Sequence, residues 1–192
     1  MAGGSKINVL SRLASTVTSD QRKLIMNAFI ASHFSYCPVV WMFHSRKLNN
    51  RINRLHERAL RIVYKDYTSS FEELLNQDQS LTIHQKNLQK LVTEVYKVKT
   101  GIAPAIMNDV FSFTKTAYPL RKDKFNAKIP RTMSYGIETP THIGPKLWDT
   151  LPAEYTNASS LDEFKMKIKN WVPRNCPCRL CKTYIQHVGY LN

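Results

Sequence analysis

Acidic side chains are scarce in this sequence. Its 192 residues hold 14 Asp and Glu against 28 Lys and Arg, a formal net charge of +14. Two-metal phosphoryl transfer needs clustered carboxylates to hold its ions. The acids here are scattered, mostly at the starts of expected helices (Glu72, Glu73, Asp162, Glu163). Glycine-rich phosphate loops, G-x-S-x-G and H-E-x-x-H are absent as well. Neither catalysis by this chain alone nor a small-molecule substrate is therefore expected. Long apolar runs are missing too: the longest, Pro38–Phe43, is far too short to span a bilayer. The start, MAGGSKINVLSRL, has no apolar core of a secretory signal, and Ala2 stands where N-myristoylation requires glycine. Cysteine is sparse at four residues, and three of them fall within six positions, which is not a disulfide framework. Reduced thiols or metal ligation, and a nuclear or cytoplasmic protein without membrane attachment, are the expectations.

What is present is enough apolar material for a core. Hydrophobic residues make up 43% and aromatics 10%, which excludes a fully disordered chain. The length suits one large domain or two small ones. The positive charge is spread through the body: residues 1–96 carry 13 basic and 7 acidic groups (13 − 7 = +6), and residues 97–192 carry 15 and 7 (15 − 7 = +8). A polyanionic partner explains such a distribution, nucleic acid first and an anionic membrane surface second.

The most organised stretch is 45–65, SRKLNNRINRLHERALRIVYK. Leu48, Ile52, Leu55, Ala59 and Ile62 step by four and three, the spacing of one face of an α-helix. Lys47, Arg51, Arg54, Arg58 and Arg61 keep the same rhythm one position earlier, and Lys65 extends it. One residue turns a helix by about 100°, so the cations lie beside the buried stripe over a length of about 27 Å. From Arg46 to Lys65 there are seven Lys and Arg and one acid, Glu57, too little to neutralise them. A solvated helix face is the plain reading. The arginine content favours bidentate contact with phosphate.

Elsewhere, Ile7, Val9, Leu10 and Leu13 suit a short helix. Thr18 with Gln21 reads as a capping box, followed by a buried face of Leu24, Ile25, Ala28 and Phe29. Cys37-Pro38 breaks that helix. Cys37 is expected as a buried small hydrophobe, and Val39–Phe43 as core. Ser69 with Glu72, or Ser70 with Glu73, caps a short helix. Thr82 with Gln85 caps a longer one, which stops at Gly101 and has Ile83, Leu88, Leu91, Val92 and Val95 inward. His84 on it is expected in the capping turn or at the surface. Pro104 begins another short helix. From Ser112 to Met133 six cations meet one acid, and prolines forbid a long helix, so 124–129 and 133–139 are expected as short strands or extended segments. Phe125 and Tyr135 there can stack on unpaired bases or pack on the body. GPKLWDTLP docks a helix through Leu147, Trp148 and Leu151. Ser160 with Glu163 caps a last helix with Leu161, Phe164, Ile168 and Trp171 inward and Lys165, Lys167 and Lys169 outward.

From Lys165 to Lys182 there are six basic residues and no acid, a second cationic surface that includes Lys169 and Arg179. It runs into Cys176-Pro-Cys178-Arg-Leu-Cys181, with His187 beyond. Three thiolates and an imidazole are a ligand set for zinc, although C-x-C-x2-C-x5-H is not the common zinc-knuckle spacing. Reduced structural thiols stand beside zinc as a reading, and a disulfide behind both. Neighbouring Lys and Arg are expected to lower the thiol pKa values.

Taken together, KINVLSRL, the long stretch QRKLIMNAFIASHFSYCPVVWMFHSRKLNNRINRLHERALRIVYKDYTSSFEELL, IHQKNLQKLVTEVYKVKTGIAP, GPKLWDTLP and FKMKIKNWVPRNCPCRLC resemble the C-terminal part of reverse transcriptases from LINE-like, non-LTR retrotransposons of invertebrate animals. The resemblance spans about Lys6 to Cys181. It implies a mostly α, thumb-like helical bundle beyond the polymerase palm, with a small irregular or β segment near 124–139 and a Cys-rich tail. It implies a thumb-like region over 1–66, a helical extension over 67–111, a basic loop region over 112–159, and the last helix and tail over 160–192. The family's catalytic aspartates lie upstream of the matching stretch, so no position here inherits them. The implied role is RNA or DNA binding of low sequence specificity, by a truncated piece of such an enzyme. The implied contacts are Lys47, Arg51, Arg54, Arg58, Arg61 and Lys65, with Lys165, Lys169, Arg179 and Lys182 at the other end. A basic protein-interaction module, an inert remnant and a residual enzyme are the alternatives.

Overall fold

The structure is a computed structural model that describes residues 2–111, 136–173 and 176–181. It is mostly helical, with no strand among the described residues. No described helix is long and apolar enough to cross a membrane. The chain forms two compact units, Met1–Asn87 and Leu88–Asn192.

The first unit contains α1 (Ala2–Leu13), α2 (Ser19–Met26), a π-helical turn (Asn27–Ala31), α3 (Ser32–Ser35), α4 (Pro38–Trp41), α5 (Arg46–Tyr64) and α6 (Phe71–Asp78), and the start of α7 (Ile83–Lys99). The caps fall where the sequence supplies them. Thr18 and Gln21 exchange hydrogen bonds at the start of α2, and Ser70 and Glu73 do so at α6. Thr82 and Gln85 do the same ahead of α7. Each box satisfies donors that a first helical turn leaves open. The core gathers Ile7 and Leu10 of α1, Met26 and Ile30, Ala59, Leu60, Ile62 and Val63 of α5, and Leu74 and Leu75 of α6.

Polar groups inside this unit are tied to the ends of its helices. Arg22 is buried, and its Nε donates to the carbonyl of Val63 at 2.8 Å, one of the acceptors the last turn of α5 leaves open. Its Nη1 donates to the carbonyls of Ala14 and Val17 at 3.1 and 2.7 Å. Asp78 is buried too, 2.8 Å from Lys23 Nζ, and accepts a hydrogen bond from Tyr64 Oη at 2.6 Å. Burial would raise the Asp78 carboxyl, but bonds from Lys23, Tyr64 and Ser80 outweigh it and hold the group below its ordinary value.

Several expectations for this unit fail. The inner face of α2 is Arg22, Met26 and Ile30, while Leu24 and Phe29 are exposed at 70% and 58%. The π turn widens the helix at Asn27 and changes its phase, and Arg22 fixes the register through its three carbonyls. Cys37 is exposed, not buried. It adopts a left-handed conformation (φ 41°) ahead of Pro38, which turns the chain at that point. Of the apolar run only Pro38 and Met42 are buried, and Val40 is 86% exposed, because one helical turn offers a single narrow face. Leu48 at the start of α5 is also exposed, and the buried face includes His56, Leu60 and Val63, which the four-three spacing passes over.

The second unit is built on α7 from Leu88 onward, α8 (Met107–Val110), a 3-10 turn (Gly136–Glu138), α9 (Pro140–Trp148), α10 (Ala153–Thr156) and α11 (Leu161–Asn170). Leu88, Leu91, Val92 and Val95 are buried as the period requires, as are Leu147, Trp148, Leu151, Phe164, Ile168 and Trp171. Tyr96 stacks on Phe164 at 4.2 Å, and Trp148 lies against the same ring. Tyr96 Oη satisfies itself by donating to the carbonyl of Ala158. The last part of the expected β segment, Gly136–Glu138, is the 3-10 turn, and the rest, with Phe125 and Tyr135, lies outside the described residues.

Two measurements check this packing. A Cβ at Gly144 would lie 2.8 Å from the Phe111 ring and 3.1 Å from Val95, so the α9 backbone rests against these side chains. Gly144→Val is expected to lower stability by about 2 kcal/mol or more, read by urea denaturation. His56 is buried edge-on to Phe71, and desolvation, helped by the Lys86 cation and opposed by Asp78, pushes its pKa down to about 4. An unfolded histidine titrates near 6.5, so the unfolded state binds more protons between these values. The stability this group contributes is present above about pH 6.5 and is lost as the pH falls toward 4, by about 1.4 kcal/mol per unit at most. Melts of wild type and His56→Leu from pH 7 to 5 are expected to give a shallower decline in the variant.

Candidate functional site

Two groups of residues in the fold have the makings of a site: the outer face of α5 and the cysteine turn at residues 176–181.

On α5 the burial of Ile52, His56, Ala59, Leu60 and Val63 leaves the opposite flank to solvent. Lys47, Arg51, Arg54, Arg58 and Lys65 are all exposed. They recur about once per helical turn, so neighbouring charges are about 5 Å apart along the axis. Lys65 ends the helix in a left-handed conformation (φ 55°), its N–H donating to the carbonyl of Arg61. Arg58 donates to Asn8 Oδ1 at 3.1 Å, which steadies its guanidinium. Arg61 differs from the others. It is half-buried and pairs with Glu57 at 2.8 Å, so the single acid does neutralise one member of the row.

The second cationic set lies in the other unit. Lys165 and Lys169 are exposed on α11, where Lys165 pairs with Asp162 at 3.2 Å and Lys167 with Glu163 at 2.6 Å. Exposed pairs of this kind contribute about 0–1 kcal/mol and are easily exchanged for another anion. The Lys167 ammonium, with the Ser159 groups, pulls the Glu163 carboxyl down to about 2. Arg179 is exposed, and Lys182 lies outside the described residues.

The cysteine turn is set in place from two sides. Gln89 Nε2 donates to the carbonyls of Trp171 and Lys169, at 2.7 and 3.2 Å, and so holds the end of α11. Glu138 Oε1 accepts the backbone N–H of Arg179 at 2.7 Å. Within the turn the N–H of Cys181 donates to Cys178 Sγ at 3.4 Å. Cys176 and Cys178 are 3% and 0% exposed, and Cys181 is half-buried.

The thiols are not acidified by the surrounding cations, as the sequence suggested. Hydrogen bonding with Cys178 and burial push Cys176 up to about 12. Cys181 is raised as well, by its bonds to Cys176 and Cys178 and by burial. Adjacent thiolates repel one another, and in a dry setting they need a cation before they ionise.

His84, in the first turn of α7, is buried rather than at the surface. A ring nitrogen of His84 and the sulfurs of Cys178 and Cys181 lie within 4.8 Å of one another, a group that can hold a metal ion. The expected fourth ligand, His187, lies outside the described residues. The signal for His84 was present in the sequence: His84, Leu88, Leu91 and Val95 continue one helical stripe, so the histidine shares the face of the core.

Thiol accessibility provides a check. Cys37 is expected to react with a thiol reagent at the rate of an exposed cysteine, and Cys176 and Cys178 at least about tenfold more slowly in the folded protein, as raised pKa and burial both require. Peptide mapping after timed alkylation reads this, and equal rates at all four positions would contradict the buried cluster. Compared with protein-family models, curated proteins and solved structures, the chain matches none of them.

Proposed function

We propose that this chain is a non-catalytic nucleic-acid-binding part of a LINE-like reverse transcriptase, thumb-like in its first unit, that grips RNA or DNA through phosphate contacts. The observation that carries the reading is the exposed flank of α5, where Lys47, Arg51, Arg54, Arg58 and Lys65 line one side of a helix whose other side is core. Arginine forks on a rigid helix suit phosphate oxygens, and the net charge of +14 raises the local concentration of any polyanion. Lys165, Lys169, Arg179 and Lys182 would add a second contact region. Nothing on the flank has the amide or carboxylate groups that read base edges, so affinity would depend little on sequence. The resemblance places the polymerase aspartates outside this chain, so it would not extend a primer. In this reading the ion for the thiol group is zinc, which favours sulfur and imidazole in a closed tetrahedral site.

The basic flank is tested by charge reversal. Arg51→Glu, Arg54→Glu and Arg58→Glu together are expected to abolish binding of a labelled oligonucleotide while leaving the helical circular dichroism intact, since all three side chains are exposed. With about five phosphates engaged, wild-type affinity is expected to fall with salt at a log–log slope of about −4 to −5. If the triple variant binds RNA and DNA as wild type does, the flank is only a solvated face. Salt-sensitive capture of an acidic protein with no affinity for oligonucleotides would instead favour a protein-interaction module.

A further inference from the structure

The zinc reading leaves open which imidazole joins the thiols. His187 is the histidine nearest to the cysteines in sequence, six residues after Cys181. His84 is almost a hundred residues earlier. Three observations nevertheless favour the distant residue.

The first is distance. Tetrahedral zinc holds sulfur at about 2.3 Å and nitrogen at about 2.0–2.1 Å, which puts its ligand atoms about 3.5–3.8 Å apart. The ligand atoms of His84, Cys178 and Cys181 are already within 4.8 Å of one another, so an ion need draw them together by only about 1 Å. The second is the third thiol: Cys176 hydrogen-bonds to both Cys178 and Cys181, so its sulfur adjoins the same group. The third is the preparation of the shell. The N–H of Cys181 is directed at Cys178 Sγ, and Glu138 fixes the backbone between these cysteines through the N–H of Arg179. Backbone donors aimed at sulfur stabilise a thiolate, and such outer contacts orient ligands before the ion arrives.

We infer that Cys176, Cys178, Cys181 and His84 form a closed Cys3His zinc site, with the histidine supplied by the first turn of α7 and not by His187. The inference rests on the zinc reading above and specifies its ligands. Three thiolates and a neutral imidazole around Zn2+ give the site a net charge of −1, compatible with the cationic segment that carries the cysteines. All four protein ligands are used, so no position is left for water or substrate, and the site is structural. Its role is to tie residues 176–181 to the start of α7.

The test uses the full chain purified without chelator. Zinc content is measured by elemental analysis, and Co2+ replaces zinc to report geometry through its d–d and thiolate charge-transfer bands. Wild type is expected to hold about one ion per chain with a tetrahedral, sulfur-rich cobalt spectrum. His84→Ala is expected to weaken metal binding by at least about 100-fold. His187→Ala and Cys37→Ser are expected to match wild type. His84→Cys guards against loss of folding: it restores a fourth ligand, so it should retain the ion with a cobalt spectrum shifted toward four sulfurs. Wild type that takes up no zinc or cobalt overturns the zinc reading itself. Wild type that holds the ion while His84→Ala holds it equally well leaves zinc in place and overturns the assignment of His84, whether or not His187→Ala then loses it.

Discussion

The first unit depends on a constraint at α5: one helix has to bury a continuous apolar flank and keep a row of cations in water. Burying a guanidinium or ammonium without a partner costs far more than burying leucine gains, so the rotation of α5 about its axis is fixed within narrow limits. Any turn that sank Arg51 or Arg54 would expose Ile52 or Leu60. The neighbours of α5 accept that orientation. Ile7 and Leu10 of α1, Met26 and Ile30 from α2 and its π turn, and Leu74 and Leu75 of α6 all contribute to the core that its apolar flank enters. The cationic row is thus held in place by packing on the far side of the same helix.

Polar groups finish what the apolar flank begins. The Arg22 guanidinium closes the end of α5 and the two loop carbonyls before α2, so a charged residue serves as a structural bolt. Asp78 joins Lys23 of α2 and Tyr64 of α5 at the end of α6. These bonds succeed because each buried charge meets either an opposite charge or several carbonyls, the condition under which burial of an ion is tolerable. His56 meets that condition differently, by remaining neutral at ordinary pH in a pocket that disfavours its cation.

The basic flank was legible in the sequence because charge and helical period appear directly in the spacing. Lys47, Arg51, Arg54, Arg58 and Lys65 are where the period puts them, and the capping boxes at Thr18, Ser70 and Thr82 form as their residue types require. Arg61 departs from the row because Glu57, one turn earlier, reaches it on the helix surface. The inner face of α2 was misread for a different reason. A π turn adds no residue type that a hydrophobic pattern can register, yet it shifts the phase of everything after it. At the cysteine turn the thiols were visible, and the long-range partner was not. Proximity in sequence pointed to His187, while α7 brought His84 to within reach of Cys178 and Cys181.

The sequence by itself determined the helical class, the helix starts, the buried stripes of α7 and α11 and the sign of the exposed surface. All of these follow from interactions between residues three or four positions apart, or from composition. Tertiary structure decided which side of α2 turns inward, that Cys37 and Val40 are left to solvent, how the thiols lose their acidity and which histidine meets them. Those outcomes depend on groups distant in the chain that share one small volume, and a local period has no access to that geometry.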